Sequence, residues 1–158
     1  MTKDLVAYFS ATGNTRKVAE TLAEAIGCDI YEICPEEYYN DDDLNWMDKD
    51  SRTSIEMRNK NSRPEIIDNG FSVKGYDRIF LGFPIWWYIA PTIVNTFLEM
   101  HDFSNKTIVL FATSGGSGFG GTIENLSPSV SDTTRIIAGE ILNNKPNVDY
   151  LKDWASTL

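Results

Sequence analysis

The chain has 158 residues, of which 42% are hydrophobic and 23% are charged, and these proportions are ordinary for a soluble globular protein. Its 23 acidic and 14 basic residues give a formal net charge of −9, which argues against nucleic acid and against anionic membranes as partners. Because no apolar run approaches the roughly 20 residues that cross a bilayer, and no signal-peptide pattern is evident, we expect one cytoplasmic domain over residues 1–158, without membrane insertion.

Apolar segments and helical patterns alternate along the chain. Strands are predicted at Lys3–Phe9, Asp29–Cys34, Tyr76–Phe83, Thr107–Thr113 and Thr134–Ile141. Helices are predicted at Thr15–Ile26, Ser51–Asn61, Pro91–His101, Gly121–Leu126 and Pro146–Ser156. The apolar run of the first strand is typical of a parallel strand buried on both faces. The sequence therefore predicts an α/β fold with a five-stranded parallel sheet of order 2-1-3-4-5 and helices on both faces.

The turn after the first strand is suited to a phosphate. It reads Ser10-Ala11-Thr12-Gly13-Asn14-Thr15 and supplies three hydroxyls, an amide and a run of backbone N–H groups. Free N–H groups and the helix dipole favour an anion at the start of the following helix. The turn contains neither Lys nor an acid, so neutral donors would hold the anion, unlike in the nucleotide triphosphate loop. An ordinary N-capped helix is the alternative interpretation.

Residues 36–75, called the insert below, are too many for a short strand-to-strand crossover. The insert begins with an acidic run, in which seven Asp and Glu residues between positions 36 and 50 accompany one Lys. A polar helix and an extended segment follow. About forty residues are too few for an independent core, so we expect no domain boundary here. The acidic run is interpreted as a solvated loop, and a docking surface for a basic protein is the alternative.

Three consecutive aromatic residues follow the third strand, in the loop Pro84-Ile85-Trp86-Trp87-Tyr88. A turn cannot bury all three in the core, and Trp and Tyr are costly to leave in water. A flat aromatic ligand that stacks on one of them is therefore favoured. The alternative is a packing plug over the end of the next helix.

The fourth strand ends in a glycine-rich loop, Thr113-Ser114-Gly115-Gly116-Ser117-Gly118-Phe119-Gly120-Gly121. Five glycines in seven residues let the backbone approach a ligand closely, although a flexible linker has a similar composition. In the predicted sheet, all three loops follow the carboxyl ends of strands, where ligands bind in open α/β sheets. Together they favour a long, flat, phosphorylated ligand.

These loops resemble those of the flavodoxin family. Phe9-Ser10-Ala11-Thr12-Gly13-Asn14-Thr15 is similar to the flavodoxin loop that wraps the 5′-phosphate of flavin mononucleotide (FMN). Three further segments resemble a bacterial flavodoxin-like subgroup: Pro84-Ile85-Trp86-Trp87, the run from Thr113 to Gly118, and Arg63-Pro64-Glu65-Ile66. The resemblance implies a flavodoxin-like three-layer sandwich that binds FMN non-covalently and transfers electrons between redox partner proteins, a reductase and an acceptor. The cofactor-binding residues that it implies are Ser10, Ala11, Thr12, Gly13, Asn14, Thr15, Pro84, Ile85, Trp86, Trp87, Tyr88, Thr113, Ser114, Gly115, Gly116, Ser117 and Gly118.

Two other functions stay open. An NAD(P)H-dependent FMN oxidoreductase of the quinone-reductase type would need a second pocket for nicotinamide, and the uncharged third loop favours it mildly. A binding module that uses the fold without redox work would not need FMN. The sequence suggests no catalytic triad, paired carboxylates or metal-type cluster, so it assigns no catalytic or metal-ligating residue.

The two cysteines and the single histidine are interpreted as structural. Cys28 and Cys34 would lie roughly 20 Å apart along an extended strand, so we expect no disulfide between them. His101 is expected at the C-terminus of a helix, where a partial positive charge is favourable.

Overall fold

Five parallel strands form one sheet in the order β2-β1-β3-β4-β5, as the sequence predicts. The computed structural model describes residues 3–114, 118–143 and 147–158. Within these residues the strands are β1 Asp4–Tyr8, β2 Asp29–Glu32, β3 Arg78–Pro84, β4 Thr107–Thr113 and β5 Arg135–Ile141. The helices are α1 Asn14–Ile26, α2 Arg52–Arg58, α3 Thr92–Met100, α4 Thr122–Leu126 and α5 Val148–Ser156.

The predicted elements are present, with boundaries that shift by a few residues. The second strand ends before Cys34 because the chain there turns to a new partner: the Cys34 carbonyl accepts a hydrogen bond from Ile67 N at 2.8 Å. Pro91 precedes α3 as its cap residue, and His101 follows it. Pro146, the predicted start of the last helix, lies outside the described residues.

Alternate residues of the central strands fill two hydrophobic cores. In β1, Leu5 and Ala7 pack in the core that includes α3, whereas Val6 and Tyr8 pack in the core that includes α1 and α5. All four are 5% exposed or less. Because both faces of the sheet are covered, the fold is the predicted three-layer sandwich, and the continuous apolar run of β1 is explained.

The insert is tied to the edge of the sheet and carries its acids on the outside. Pro35 and Ile66, on either side of most of the insert, form an antiparallel bridge. α2 is capped by Ser51, whose Oγ accepts a hydrogen bond from Ser54 N at 3.3 Å. Six of the seven acidic residues between positions 36 and 50 are exposed, as both the solvated-loop interpretation and the docking-surface alternative require.

Cys28 and Cys34 are both free thiols, as expected. None of the helices in the described part of the chain combines the length and the apolar character that a bilayer crossing requires.

Candidate functional site

The carboxyl ends of β1, β3 and β4 bring the three predicted loops together. A cavity of about 650 Å³ lies between them. This size is within the range of small-molecule and cofactor sites. Its walls come from the turn after β1, the start of α1, the loop after β3, the end of β4 and the segment after β5. The lining residues are Thr12, Asn14, Lys17, Val18, Thr21, Pro84, Ile85, Trp86, Thr113, Ser114 and Asn143.

The turn after β1 leaves the N-terminus of α1 open. Gly13 has a φ of 95°, in the left-handed region that favours glycine. The Gly13 N–H donates to Ser10 Oγ at 3.0 Å, which holds the turn closed. No described side chain caps α1, so the N–H groups of its first turn keep their capacity to bind an anion. Thr12 and Asn14 are exposed beside this helix end.

Hydrogen bonds between side chains and across loops join the cavity walls to one another. The Thr15 hydroxyl lies 2.9 Å from the Thr113 hydroxyl, so the start of α1 is tied to the end of β4. Asn143 forms two hydrogen bonds with Ser114, the residue after Thr113. Its Oδ1 accepts from Ser114 N at 2.7 Å, and its Nδ2 donates to Ser114 O at 2.6 Å. Lys17, Thr21 and Asn143 line the cavity although sequence reasoning did not select them. Lys17 and Thr21 could have been predicted from the sequence, because both follow the turn at helical spacing.

The loop after β3 is a strained two-residue turn. Trp86 and Ile89 exchange two backbone hydrogen bonds, of 2.9 and 3.2 Å, across Trp87 and Tyr88. Both central residues have positive φ, 50° for Trp87 and 68° for Tyr88. Such turns normally carry Asn or Gly, because a side chain in the left-handed region costs about 1–2 kcal/mol per residue. Strain of this kind is concentrated at functional sites.

The three aromatic residues of this loop differ in burial. Trp86 is half-buried and lines the cavity, whereas Trp87 and Tyr88 are 43% and 69% exposed. The turn does not bury all three, as the sequence predicts, and Trp86 is the one that faces the cavity.

The insert orients Trp86. The Trp86 ring meets the rings of Phe9 and Tyr39 edge-on, with centroids 5.7 and 5.5 Å away. The Tyr39 hydroxyl donates to Glu56 at 2.6 Å, and the Arg52 guanidinium lies 3.8 Å from the centroid of the Tyr39 ring. Burial, and then the Glu56 carboxylate, raise the pKa of Tyr39 well above its ordinary value. The insert is therefore part of the site, a role that its acidic composition does not reveal.

The third loop packs against the second near its end. Gly115, Gly116 and Ser117 lie outside the described residues, and Gly118 is exposed. Farther along, a Cβ on Gly120 would lie 2.3 Å from the Tyr88 carbonyl oxygen, so only glycine permits this approach of the two loops.

The two cysteines and the single histidine do not line the cavity, and burial shifts the pKa of each of them. Burial raises the pKa of Cys28 to about 11 and also raises that of Cys34, so both thiols stay protonated near neutral pH. His101 follows α3, as expected, but burial opposes the partial positive charge that this position favours. Burial lowers its pKa because the ring lies among Phe71, Phe97 and Phe103. The described residues include no group of three His, Cys, Asp or Glu that could hold a metal ion.

Comparisons with known proteins agree with the fold. The model of the family described as Flavodoxin matches residues 3–158. Crystal structures of proteins named as flavoproteins from Bacteroides uniformis ATCC 8492 and Bacteroides eggerthii DSM 20697 are 42% and 41% identical to this chain, with TM-scores of 0.88 and 0.87. The matches cover 98% and 99% of this chain, and 98% of each of those proteins.

Two more distant proteins are also similar. A flavoprotein from Lactobacillus acidophilus NCFM, crystallised in complex with FMN, shares the fold at 21% identity, with a TM-score of 0.71 over 98% of this chain and 99% of that one. The flavodoxin-like domain-containing protein BilS of Clostridioides difficile strain CD3 is 27% identical over 147 residues. That match covers 90% of this chain and 66% of BilS, so the chain spans just under two thirds of the length of this curated relative.

Proposed function

Because the chain belongs to the flavodoxin family, we propose that it binds FMN non-covalently between its three loops and carries electrons between redox partner proteins. The observation that carries this proposal is the uncapped N-terminus of α1 beside a cavity of about 650 Å³ that is lined by Trp86. An anion-binding end and an aromatic wall in one cavity suit a phosphorylated aromatic ligand.

The residues present fit the phosphate of FMN. Thr12, Asn14 and the first-turn N–H groups of α1 would hold it through neutral donors. The Ser10 hydroxyl accepts from Gly13 N and keeps its own proton, which it can donate to the phosphate. Lys17 lies one turn farther along α1 and supplies the one cationic side chain among the described residues that line the cavity. These groups fix one end of the ligand.

The residues around Trp86 would hold the flavin ring. Pro84, Ile85 and Trp86 give the cavity an apolar wall, and Thr113 and Ser114 give it a polar one. When bound, FMN supplies the one- and two-electron chemistry, which the protein does not need to provide. The chain would position the ring and exclude water from the Trp86 side.

The acidic run of the insert supports a basic redox partner. Leu44 and Trp46, within that run, line a cavity of about 180 Å³ together with Thr12 and Trp86 of the candidate site. The part of the acidic run around Leu44 and Trp46 therefore lies beside the candidate site. An exposed acidic surface beside a cofactor would steer a positively charged partner to it.

The visible spectrum of the purified protein, recorded before and after addition of FMN and then NADPH, tests the proposal. We expect a yellow protein that NADPH does not reduce but that light or dithionite reduces. Bleaching by NADPH alone would instead indicate the NAD(P)H-dependent oxidoreductase. A colourless protein that does not bind added FMN would overturn the cofactor assignment.

A further inference from the structure

A second cavity, of about 300 Å³, lies on the insert side of the loop after β3. It shares no lining residue with the cavity proposed for FMN. The cavity of about 180 Å³ shares residues with both and so lies between them. The residues that line the second cavity are Trp46, Met47, Lys49, Ser54, Met57, Arg58 and Trp87.

The apolar part of this cavity suits a flat aromatic ring. Trp46 and Met47 are 69% and 76% exposed, and Trp87 is 43% exposed, whereas Met57 is buried. Grouped exposed apolar side chains of this size are uncommon on a protein surface unless they bind something. Indole rings bind planar aromatic groups, and thioether side chains adapt to them and make favourable contacts with ring edges.

The charged part of this cavity suits an anion. Lys49 and Arg58 line it, and the described lining residues include no Asp or Glu. This charge is opposite to that of the surrounding insert, which carries seven acids between positions 36 and 50, and to that of the whole chain. Neither cation forms an ion pair with another described residue. Both therefore keep their charge available for a ligand.

We infer that this second cavity binds a planar aromatic anion, an organic carboxylate or sulfonate, between Trp46 and Trp87 and beside Lys49 and Arg58. The site is built from the insert and from the exposed side of the strained turn, so its occupancy does not require flavin. It is separate from the proposed FMN cavity and stands whether or not FMN binds there.

Isothermal titration with two probes tests the site, on the protein with and without added FMN. The probes are anthraquinone-2-sulfonate and the neutral 2-(hydroxymethyl)anthraquinone, which share one ring system. We expect the sulfonate to bind to one site per chain, with similar affinity in both forms of the protein. We expect it to bind about tenfold more tightly than the neutral probe, as for two solvent-exposed charge interactions.

Variants locate the binding. Lys49→Gln and Arg58→Gln should each weaken the sulfonate about threefold to fivefold and leave the neutral probe unchanged. Trp46→Ala should weaken both probes about tenfold. Lys60→Gln and Tyr38→Ala are matched controls, because they remove an exposed cation and an exposed aromatic ring of the insert that do not line the cavity.

Two outcomes would overturn the assignment. If the sulfonate binds equally well to Trp46→Ala, Arg58→Gln and the parent protein, the cavity is not its site. If FMN displaces the sulfonate in direct competition, the sulfonate occupies the larger cavity instead. A protein that binds the sulfonate as expected but never binds FMN would contradict the proposed function and leave the anion site intact.

Discussion

The ring of Tyr39 meets the indole of Trp86 edge-on, with 5.5 Å between the ring centroids. Tyr39 belongs to the insert and Trp86 to the loop after β3. Two residues of α2 contact Tyr39: the Arg52 guanidinium lies over its ring, and Glu56 accepts a hydrogen bond from its hydroxyl. The Arg52 side chain is itself bonded to Glu56 at 2.9 Å. A part of the chain that reads as solvated acidic loop therefore sets the position of the aromatic wall of the candidate site.

The effect of Tyr39 on the site can be measured with a pair of variants. Tyr39→Leu removes the aromatic contact and should weaken FMN about tenfold, because an aromatic pair of this geometry contributes about 0.5–1.5 kcal/mol. Tyr39→Phe keeps the ring and should bind FMN nearly as the parent protein does, although the lost hydrogen bond to Glu56 should lower the free energy of unfolding by about 1–3 kcal/mol. Flavin fluorescence measures the affinity, and urea denaturation measures the stability. Parent-like FMN affinity in Tyr39→Leu would show that the insert does not support the site.

The wall residues themselves give the most direct test of the cofactor site. Thr12→Ala and Trp86→Ala should each weaken FMN, and the loss of one hydrogen bond to the phosphate in Thr12→Ala corresponds to about 1.5–3 kcal/mol. Thr12 is exposed and forms no side-chain hydrogen bond with the described residues, so its replacement should leave the melting temperature almost unchanged. Thr157→Ala, at the far end of α5, is the control for a lost threonine hydroxyl. Unchanged FMN affinity in both Thr12→Ala and Trp86→Ala would remove the site assignment.

Much of the fold was predictable because its determinants are local. The apolar run of β1 and the glycines at both ends of α1 are short-range signals, and Gly13 and Gly27 have the positive φ that those positions need. The three loops were predictable for the same reason, since each follows a strand that the pattern identifies.

The parts of the site that the sequence did not predict depend on pairs of residues that lie far apart in the chain. Tyr39 and Trp86 are 47 positions apart, and Asn143 and Ser114 are 29 apart. No periodic pattern links such pairs. The burial of His101 was not predictable for this reason too, because Phe71, an aromatic neighbour that helps to bury it, comes from the insert.

The strained turn predicts that Trp87 and Tyr88 lower the stability of the folded protein. The double variant Trp87→Asn with Tyr88→Gly places the residues that such turns favour at both positive-φ positions. It should raise the free energy of unfolding by about 1 kcal/mol, because the relief of left-handed strain exceeds the entropic cost of the new glycine. Urea denaturation of the flavin-free protein measures this gain.

Tyr38→Gly is the control for the turn variant, since Tyr38 is equally exposed but lies at negative φ, and it should not stabilise the protein. A turn variant that is no more stable than the parent protein would mean that the aromatic side chains, despite their exposure, stabilise the turn by as much as the strain costs.

The single histidine predicts a pH dependence of stability. Burial lowers the pKa of His101 below its ordinary value of 6.5, while the Asp68 carboxylate opposes this shift more weakly. As the pH falls past 6.5, the unfolded chain takes up a proton that the folded protein resists, so the free energy of unfolding decreases with falling pH. The stability contributed by the neutral ring is complete above the ordinary pKa and is lost as the pH falls through the folded one.

His101→Phe isolates this contribution, because it keeps a ring among Phe71, Phe97 and Phe103 and removes the titration. Urea denaturation midpoints of both proteins are recorded from about pH 7.5 to about pH 5. The difference between the two midpoints should be constant toward the alkaline end and should grow toward the acidic end. The parent protein should be the one that loses stability. A constant difference between the two proteins across this range, or a parent protein that gains stability relative to the variant as the pH falls, would mean that the folded protein accommodates the imidazolium as readily as water does.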